Sequence, residues 1–342
     1  MTMKSLPQIL VINPGSTSMK LGRFEGEKEI EIIEKTIPEN VTDEFLWRKS
    51  VTTEFASSFW PDMIMARGGL LKPLPSGVYE INEKMLEDLK KSPYKHASNM
   101  AAPIAFDLAK EFNIPAYIAD PVTVDEMQDL ARFSGHPLLP RKSIFHALNH
   151  KATARKMAEK LHKNYEELNL IVAHMGGGIS IGAHKQGKVI DVNQALDGEG
   201  PFSPQRSGTL PSGDLVRLAF SGKFNLEAML KMITGQGGLK AYTGTDDVRK
   251  IEYNPEWKKY LDAMIYQIAK YIGEMAVVLK GKIDGIILTG GLARSNYVVE
   301  RLKSYISFLG PVFIFPGENE MQALAYNGYL VWQGKIKPKK YD

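Results

Sequence analysis

Three glycine-containing turns follow apolar, strand-like stretches: Asn13–Ser18, Gly176–Gly178 and Thr289–Gly291. Glycine has no Cβ, so its backbone N–H groups can approach phosphate oxygens closely. The first turn adds the hydroxyls of Ser16, Thr17 and Ser18, and Lys20 follows on the next strand. Side chains alternate along a strand, so Lys20 can share a face with Ser18 and Ser16. One such turn is ordinarily structural; three in one chain point to phosphate binding. No GxxxxGK[ST] segment occurs, and no GxGxxG follows a strand. Phosphate would then be held by hairpin turns and not mainly by a helix N-terminus.

His146 and His150 stand four residues apart in a helical stretch, a spacing that zinc sites use. Ala147 occupies the place where a zinc protease has its glutamate, and no third ligand is evident. The pair therefore reads as something other than a metal centre, with His150 in the core or supporting a site. His136, His162 and His184 read as solvated or turn residues. Arg206 lies in a loop rich in Gly, Pro and Ser, where an arginine is ordinarily a surface charge. Without cysteine, disulfides, thiol catalysis and cysteine-ligated zinc are excluded.

The elements that carry these residues come in a repeated order. Gln8–Asn13, Ser18–Phe24 and Glu29–Ile37 read as a three-strand meander. Glu44–Ser58, Glu83–Lys91 and Ala101–Phe112 have helical spacing, Asp62–Ala66 and Ala116–Ala119 read as strands, and a long helix is expected over Ser143–His162. The meander then restarts with Asn169–Met175, Ile179–His184 and Lys188–Val192. It is followed by helix Pro255–Lys280, strand Ile283–Leu288, helix Ser295–Tyr305, strand Val312–Phe315 and helix Glu318–Gln333. The segment Val11–Ser18 lies over Ala173–Ser180, which argues for duplication over two unrelated hairpins. Mixed strands and helices in a repeated order predict an α/β protein with two related lobes. The expected division is 1–142, completed by a C-terminal helix within 321–342, and 143–320 as the nucleotide-binding lobe.

The 342 residues suffice for two ordinary domains, and the net charge of +4, 43 basic against 39 acidic residues, is too small to argue for nucleic acid. The opening MTMKSLPQILVIN has neither a long apolar core nor a small-residue cleavage site, so it does not read as a signal peptide. The apolar runs fall far short of the ~20 residues of a membrane helix. A cytoplasmic protein is expected.

Eight segments make the pattern specific: LVINPGSTSMKLGRF, MARGGLLKPLPSGVYEIN, ADPVTVDEM, SIFHALNHKA, VAHMGGGISIGAH, DGEGPFSPQRSGTLPSGDL, ILTGGLARS and FPGENEMQALA, in this order from residue 10 to residue 325. Together they resemble the acetate kinase family, and within it the butyrate kinase branch. That family is grouped with sugar kinases, actin and the 70-kDa heat-shock ATPases, which implies a ribonuclease H-like core in each lobe. The resemblance implies that Asn13, Ser16, Ser18 and Lys20 form the first phosphate hairpin. Gly176, Gly177 and Gly178 would form the second, at the β- and γ-phosphates, with Gly290 and Gly291 near the α-phosphate and ribose. It also implies that Glu320 lies near magnesium, Asp120 near the transferred phosphoryl group and its metal, and Arg206 on that group, with His96 and His146 as active-site histidines.

The chain departs from acetate kinases at three places. Gly177 replaces an asparagine, Ile64 stands where they have an arginine, and Arg67 stands where they have a histidine. Arg67 either takes over the acid's carboxylate or is a structural arginine at the Gly68-Gly69 turn.

The resemblance implies ATP-dependent phosphorylation of a short-chain fatty acid, butyrate or else acetate, propionate or a branched acid. ATP and Mg2+ are the implied nucleotide and metal, and a homodimer or larger homo-oligomer the implied assembly. Such an acid, with a pKa near glutamate's value of roughly 4.3, is ionised at neutral pH and needs no general base. What it needs is neutralised charge and in-line positioning. A sugar kinase would instead want a catalytic aspartate as base. A chaperone-like nucleotide-binding protein would usually carry an extra peptide-binding region, for which the chain has no spare length.

Overall fold

The computed structural model describes residues 6–92, 96–317 and 319–342. The first five residues of the stretch weighed as a leader, and Glu318, the expected start of the last helix, lie outside them. The chain forms two compact units, one of Met1–Val124 with Asn319–Asp342 and one of Asp125–Glu318.

The first unit is built on a six-stranded sheet. Its strands are β1 (Gln8–Pro14), β2 (Ser18–Glu25), β3 (Lys28–Thr36), β4 (Met63–Arg67), β5 (Val78–Glu80) and β6 (Ala116–Ala119), in the order β3-β2-β1-β4-β6-β5. β1 pairs antiparallel with β2 and parallel with β4, which pairs parallel with β6. The central strand β1 is covered on both faces, and Ile9, Leu10, Val11 and Ile12 are fully buried, as its unbroken apolar run requires. β3 is an edge strand, and its exposed lysines and glutamates discourage further pairing. Helix Glu320–Trp332 returns to this unit.

The second unit repeats the plan with β7 (Asn169–Met175), β8 (Ile179–Lys185), β9 (Lys188–Val192), β10 (Gly285–Gly290) and β11 (Val312–Pro316), in the order β11-β10-β7-β8-β9. β7 and β8 are antiparallel, whereas β10 runs parallel to both β7 and β11. The series β3-β2-β1-β4-β6 thus recurs as β9-β8-β7-β10-β11, so the fold is a duplicated ribonuclease H-like core. Helix Lys258–Val278 buries Leu261, Met264, Ile265, Ile268 and Ile272 as one apolar stripe in the core of this unit.

Several expectations change. The boundary expected after residue 142 falls after Val124. The reason lies in 125–142: Arg141 pairs with Asp191 at 3.0 Å and Glu199 at 3.2 Å, and the Gln128 amide donates to the Ile190 carbonyl. The long helix spans Ala147–Lys160 and not Ser143–His162, with His146 as its N-cap residue. Short helices at Ser212–Ala219, Leu226–Thr234, Gly238–Thr243 and Val248–Tyr253 were not foreseen, nor was β5. Among the described residues no helix is long and apolar enough to cross a membrane.

Candidate active site

In the first unit the candidate residues gather at the carboxyl ends of adjacent parallel strands, the edge where open α/β sheets hold ligands. Asn13 lies near the end of β1, Arg67 ends β4 and Asp120 follows β6. Arg67 Nη1 donates to Asn13 Oδ1 at 3.1 Å, Asn13 Nδ2 donates to Glu320 Oε2 at 2.9 Å, and Arg67 Nη2 pairs with Glu320 Oε1 at 3.1 Å. These three residues, far apart in sequence, form a closed ring. The carboxylate on Arg67 here belongs to the protein, which shows that its guanidinium can receive one.

The hairpin between β1 and β2 closes through the Gly15 amide and the Ser18 carbonyl at 2.9 Å, with Ser16 and Thr17 exposed at its tip. Arg48, fully buried, donates to the carbonyls of Gly15 and Ser18, both at 2.7 Å, and pairs with Glu44 at 2.6 Å. Asp43 positions it by capping its helix through the Leu46 amide. The expected face of Ser18 and Lys20 exists, but both reach Glu34 on β3, at 2.8 Å and 3.3 Å. Ser18 and Lys20 in turn hold the Glu34 carboxyl below its usual range. Asp120, buried at a positive φ of 39°, accepts from Ser76 Oγ at 2.6 Å and the Gly77 amide at 2.8 Å. His96 caps a short 3-10 turn, with Nδ1 2.7 Å from Ser98 Oγ.

In the second unit the two glycine turns abut. β7 and β10 are parallel neighbours, with Thr289 opposite His174, so both turns open at the same sheet edge. Gly290 has φ 87°, and a Cβ there would meet the Met175 carbonyl oxygen at 2.4 Å, so only glycine fits. One cavity of about 800 Å³ is lined by Gly176, Gly177, Gln205, Asp246, Tyr253, Gly291 and Arg294, among others. Arg206 packs on the turn, since a Cβ on Gly178 would lie 2.2 Å from its Nη1. It is half-buried and not a surface charge, and its guanidinium donates to the Ala195 carbonyl. Burial pulls that guanidinium below its usual value, and Asp197 opposes the shift. Ser203 Oγ donates to the Gly177 carbonyl at 2.6 Å and accepts from the Arg206 amide at 3.0 Å, tying the Arg206 loop to the turn.

A profile of the acetokinase family matches residues 134–324. The chain is 51% identical to Butyrate kinase 2 of Clostridium acetobutylicum, over 98% of this chain and 99% of that protein. The chain belongs to the acetokinase family. Its fold agrees with the crystal structure of Porphyromonas gingivalis acetate kinase, with a TM-score of 0.77 at 18% identity, covering 95% of this chain and 100% of that one. It also agrees with the crystal structure of a propionate kinase from Francisella tularensis, with a TM-score of 0.74 at 20% identity, covering 94% and 98% of the two chains.

Within this acetokinase-family chain the histidines take places that spacing alone did not reveal. The half-buried His146 ring stacks on buried His174, centroids 4.1 Å apart, and its Nδ1 lies 2.8 Å from Ser180 Oγ. His150 Nε2 reaches the same hydroxyl at 2.9 Å. His184, expected as a solvated or turn residue, is fully buried in β8, whose two faces are both covered, and alternation puts it on one face with Ser180 and Gly182. Ser180 and His184 both bond to His150, and Gly182 leaves room for the His150 ring. Sequence reasoning also missed Arg48, Ser180, His174 and Ser203. Only Ser180 and His184 had a readable signal, their alternate positions in one strand beside an i, i+4 histidine pair.

Proposed function

We propose that this chain transfers the γ-phosphoryl group of ATP to the carboxylate of a short-chain fatty acid, butyrate above all, giving an acyl phosphate and ADP. The observation that carries the reading is the pair of abutting glycine turns lining one cavity, with Arg206 seated on Gly178. The 51% identity to Butyrate kinase 2 supports butyrate as the acid. The chain is thus a kinase whose acceptor is a carboxylate.

The nucleotide is assigned to the cavity, its phosphates to the amides of Gly176–Gly178 and its α-phosphate and ribose to Gly290 and Gly291. Asn13, Ser16, Ser18 and Lys20 supply further phosphate contacts. A carboxylate oxygen of the acid attacks the γ-phosphorus, the new O–P bond forms as the β–γ bridging bond breaks, and the electron pair leaves with ADP. No proton has to be removed from the acid, so the site has to manage charge. Arg206 spreads the charge of the equatorial oxygens through a planar fork. His146 donates to the same group, and Arg67 receives the acid's carboxylate as it receives that of Glu320 here, with His96 beside the acid.

Among the described residues no three acidic or histidine side chains gather into a metal cage. The oxygen donors Glu320 and Asp120 suit magnesium, which keeps several waters and takes one or two carboxylates with substrate phosphates. When bound, the ion would neutralise phosphate charge. A homodimeric or larger assembly rests on family resemblance, and the cytoplasmic location expected from the sequence completes the reading.

The test is a hydroxylamine trap. Purified protein with MgATP and butyrate should yield the hydroxamate, faster than with acetate. No hydroxamate from any acid of about two to six carbons, while ATP still binds, would overturn the reading; one methylene is worth only about 1–3 kcal/mol in such a pocket.

A further inference from the structure

Within the second unit a chain of hydrogen bonds runs inward from His146. Ser180 Oγ lies 2.8 Å from His146 Nδ1 and 2.9 Å from His150 Nε2. His150 Nδ1 lies 3.2 Å from His184 Nε2, and His184 Nδ1 lies 2.7 Å from the Tyr165 hydroxyl. Ser180, His150 and His184 are fully buried, and Tyr165 nearly so. Lys151, near the Tyr165 ring, pairs with Glu126 at 2.6 Å.

Burial, the neighbouring His174 and Lys151 hold His150 well below the ordinary histidine range. Burial, His150 and Lys151 do the same for His184, so both rings are neutral. A neutral imidazole has one N–H, so it donates at one nitrogen and accepts at the other. The chain therefore has two possible senses. If His184 donates to Tyr165, then His150 donates to His184 and Ser180 must donate to His150. Ser180 then accepts from His146 Nδ1–H, and a neutral His146 has a bare Nε2. If Tyr165 donates to His184, every bond reverses, Ser180 donates to His146 Nδ1, and Nε2 holds the proton. A phenol, with a pKa of about 10, is a far stronger acid than a neutral imidazole N–H and donates in such a pair.

We propose that Tyr165, through His184, His150 and Ser180, fixes the tautomer of His146 so that Nε2 bears the proton. Tyr165 is then a positioning residue. Its value for phosphoryl transfer rests on the proposed function, since an Nε2–H donor suits a phosphoryl oxygen and a bare Nε2 would repel one. The tautomer itself does not rest on that reading.

The test is ring 15N–1H correlation spectroscopy of the full chain, whose 7 histidines can be assigned by single substitutions. In the unaltered protein His146, His150 and His184 should all be protonated at Nε2 and bare at Nδ1. Tyr165→Phe should turn the His146 signal into a tautomer mixture. It should also lower kcat on the order of 10-fold, as loss of an outer-shell partner does, with KM for ATP unchanged. Ser180→Ala should do the same, and Ser180→Thr, which keeps the hydroxyl, should restore both. An Nδ1–H signal for His150 or His184 in the unaltered protein would overturn the proposal. An unchanged His146 ring in Tyr165→Phe would overturn it too. If the spectra hold while no acyl phosphate forms, the relay stands and the assigned reaction falls.

Discussion

The two meander hairpins occupy equivalent places in a duplicated sheet, yet they are held by opposite means. The turn after β1 has hydroxyls at its tip and a fully buried arginine, Arg48, behind its carbonyls. The turn after β7 is all glycine, tied by the neutral hydroxyl of Ser203, with the arginine of its neighbourhood, Arg206, packed on Gly178. On and beside β8 stand two buried neutral histidines, and among the described residues of the first unit no histidine is buried. The shared topology supplies the location, and the residues packed on each turn set where its positive charge lies: behind the carbonyls in the first unit, against the glycine in the second.

The comparison breaks first if the arginines have been assigned the wrong way round. Arg206→Ala should lower kcat by about 10²–10³, comparable to losing one preorganised donor, with little change in KM for ATP. Arg206→Lys should recover only part, because a point charge lacks the bidentate fork. Steady-state kinetics with normal turnover would remove Arg206 from the chemistry.

Arg48→Ala should instead cost stability, because the carbonyls of Gly15 and Ser18 lose their donor. With two part-buried acceptors left unsatisfied, at 1–3 kcal/mol each, the loss should be about 2–6 kcal/mol. Urea unfolding would show it, and a variant as stable as the parent would make Arg48 dispensable.

The third contrast is acid sensitivity. His150 and His184 titrate lower in the folded chain than in the unfolded one, so the unfolded state binds protons first as pH falls below about 6.5. Their contribution is complete above that value and is lost as pH falls toward the folded pKa values, by at most about 1.4 kcal/mol per pH unit for each ring. His174, Lys151 and Tyr165 are the other ionisable groups around the pair. Unfolding midpoints between pH 7.5 and pH 5.5 should therefore fall, and less steeply in His184→Gln; equal slopes would contradict the assignment of neutral rings.

Much of the fold was legible because β1 and β7 are unbroken apolar runs ending in glycine turns, and such runs fix both strand and turn. The helices between Ser212 and Tyr253 were not, since each is short, of 6 to 9 residues, and most of them bury few residues. The glycine turns could be picked out because Cβ-free backbone is a local property of the sequence. The ring of Asn13, Arg67 and Glu320 could not be derived from spacing, because the sheet order alone brings β1 beside β4 and returns the last helix to both. Arg48 was hidden because nothing in its own helix marks it out, while its partners are backbone carbonyls some thirty residues earlier.

The central claim is that the backbone of the second unit's glycine turns holds the nucleotide. Hydrogen exchange read by mass spectrometry, with and without MgATP, tests it at those amides. Peptides covering Gly176–Gly178 and Gly290–Leu292 should exchange more slowly with nucleotide bound. Unchanged exchange in both, with protection confined to other segments, would contradict the account.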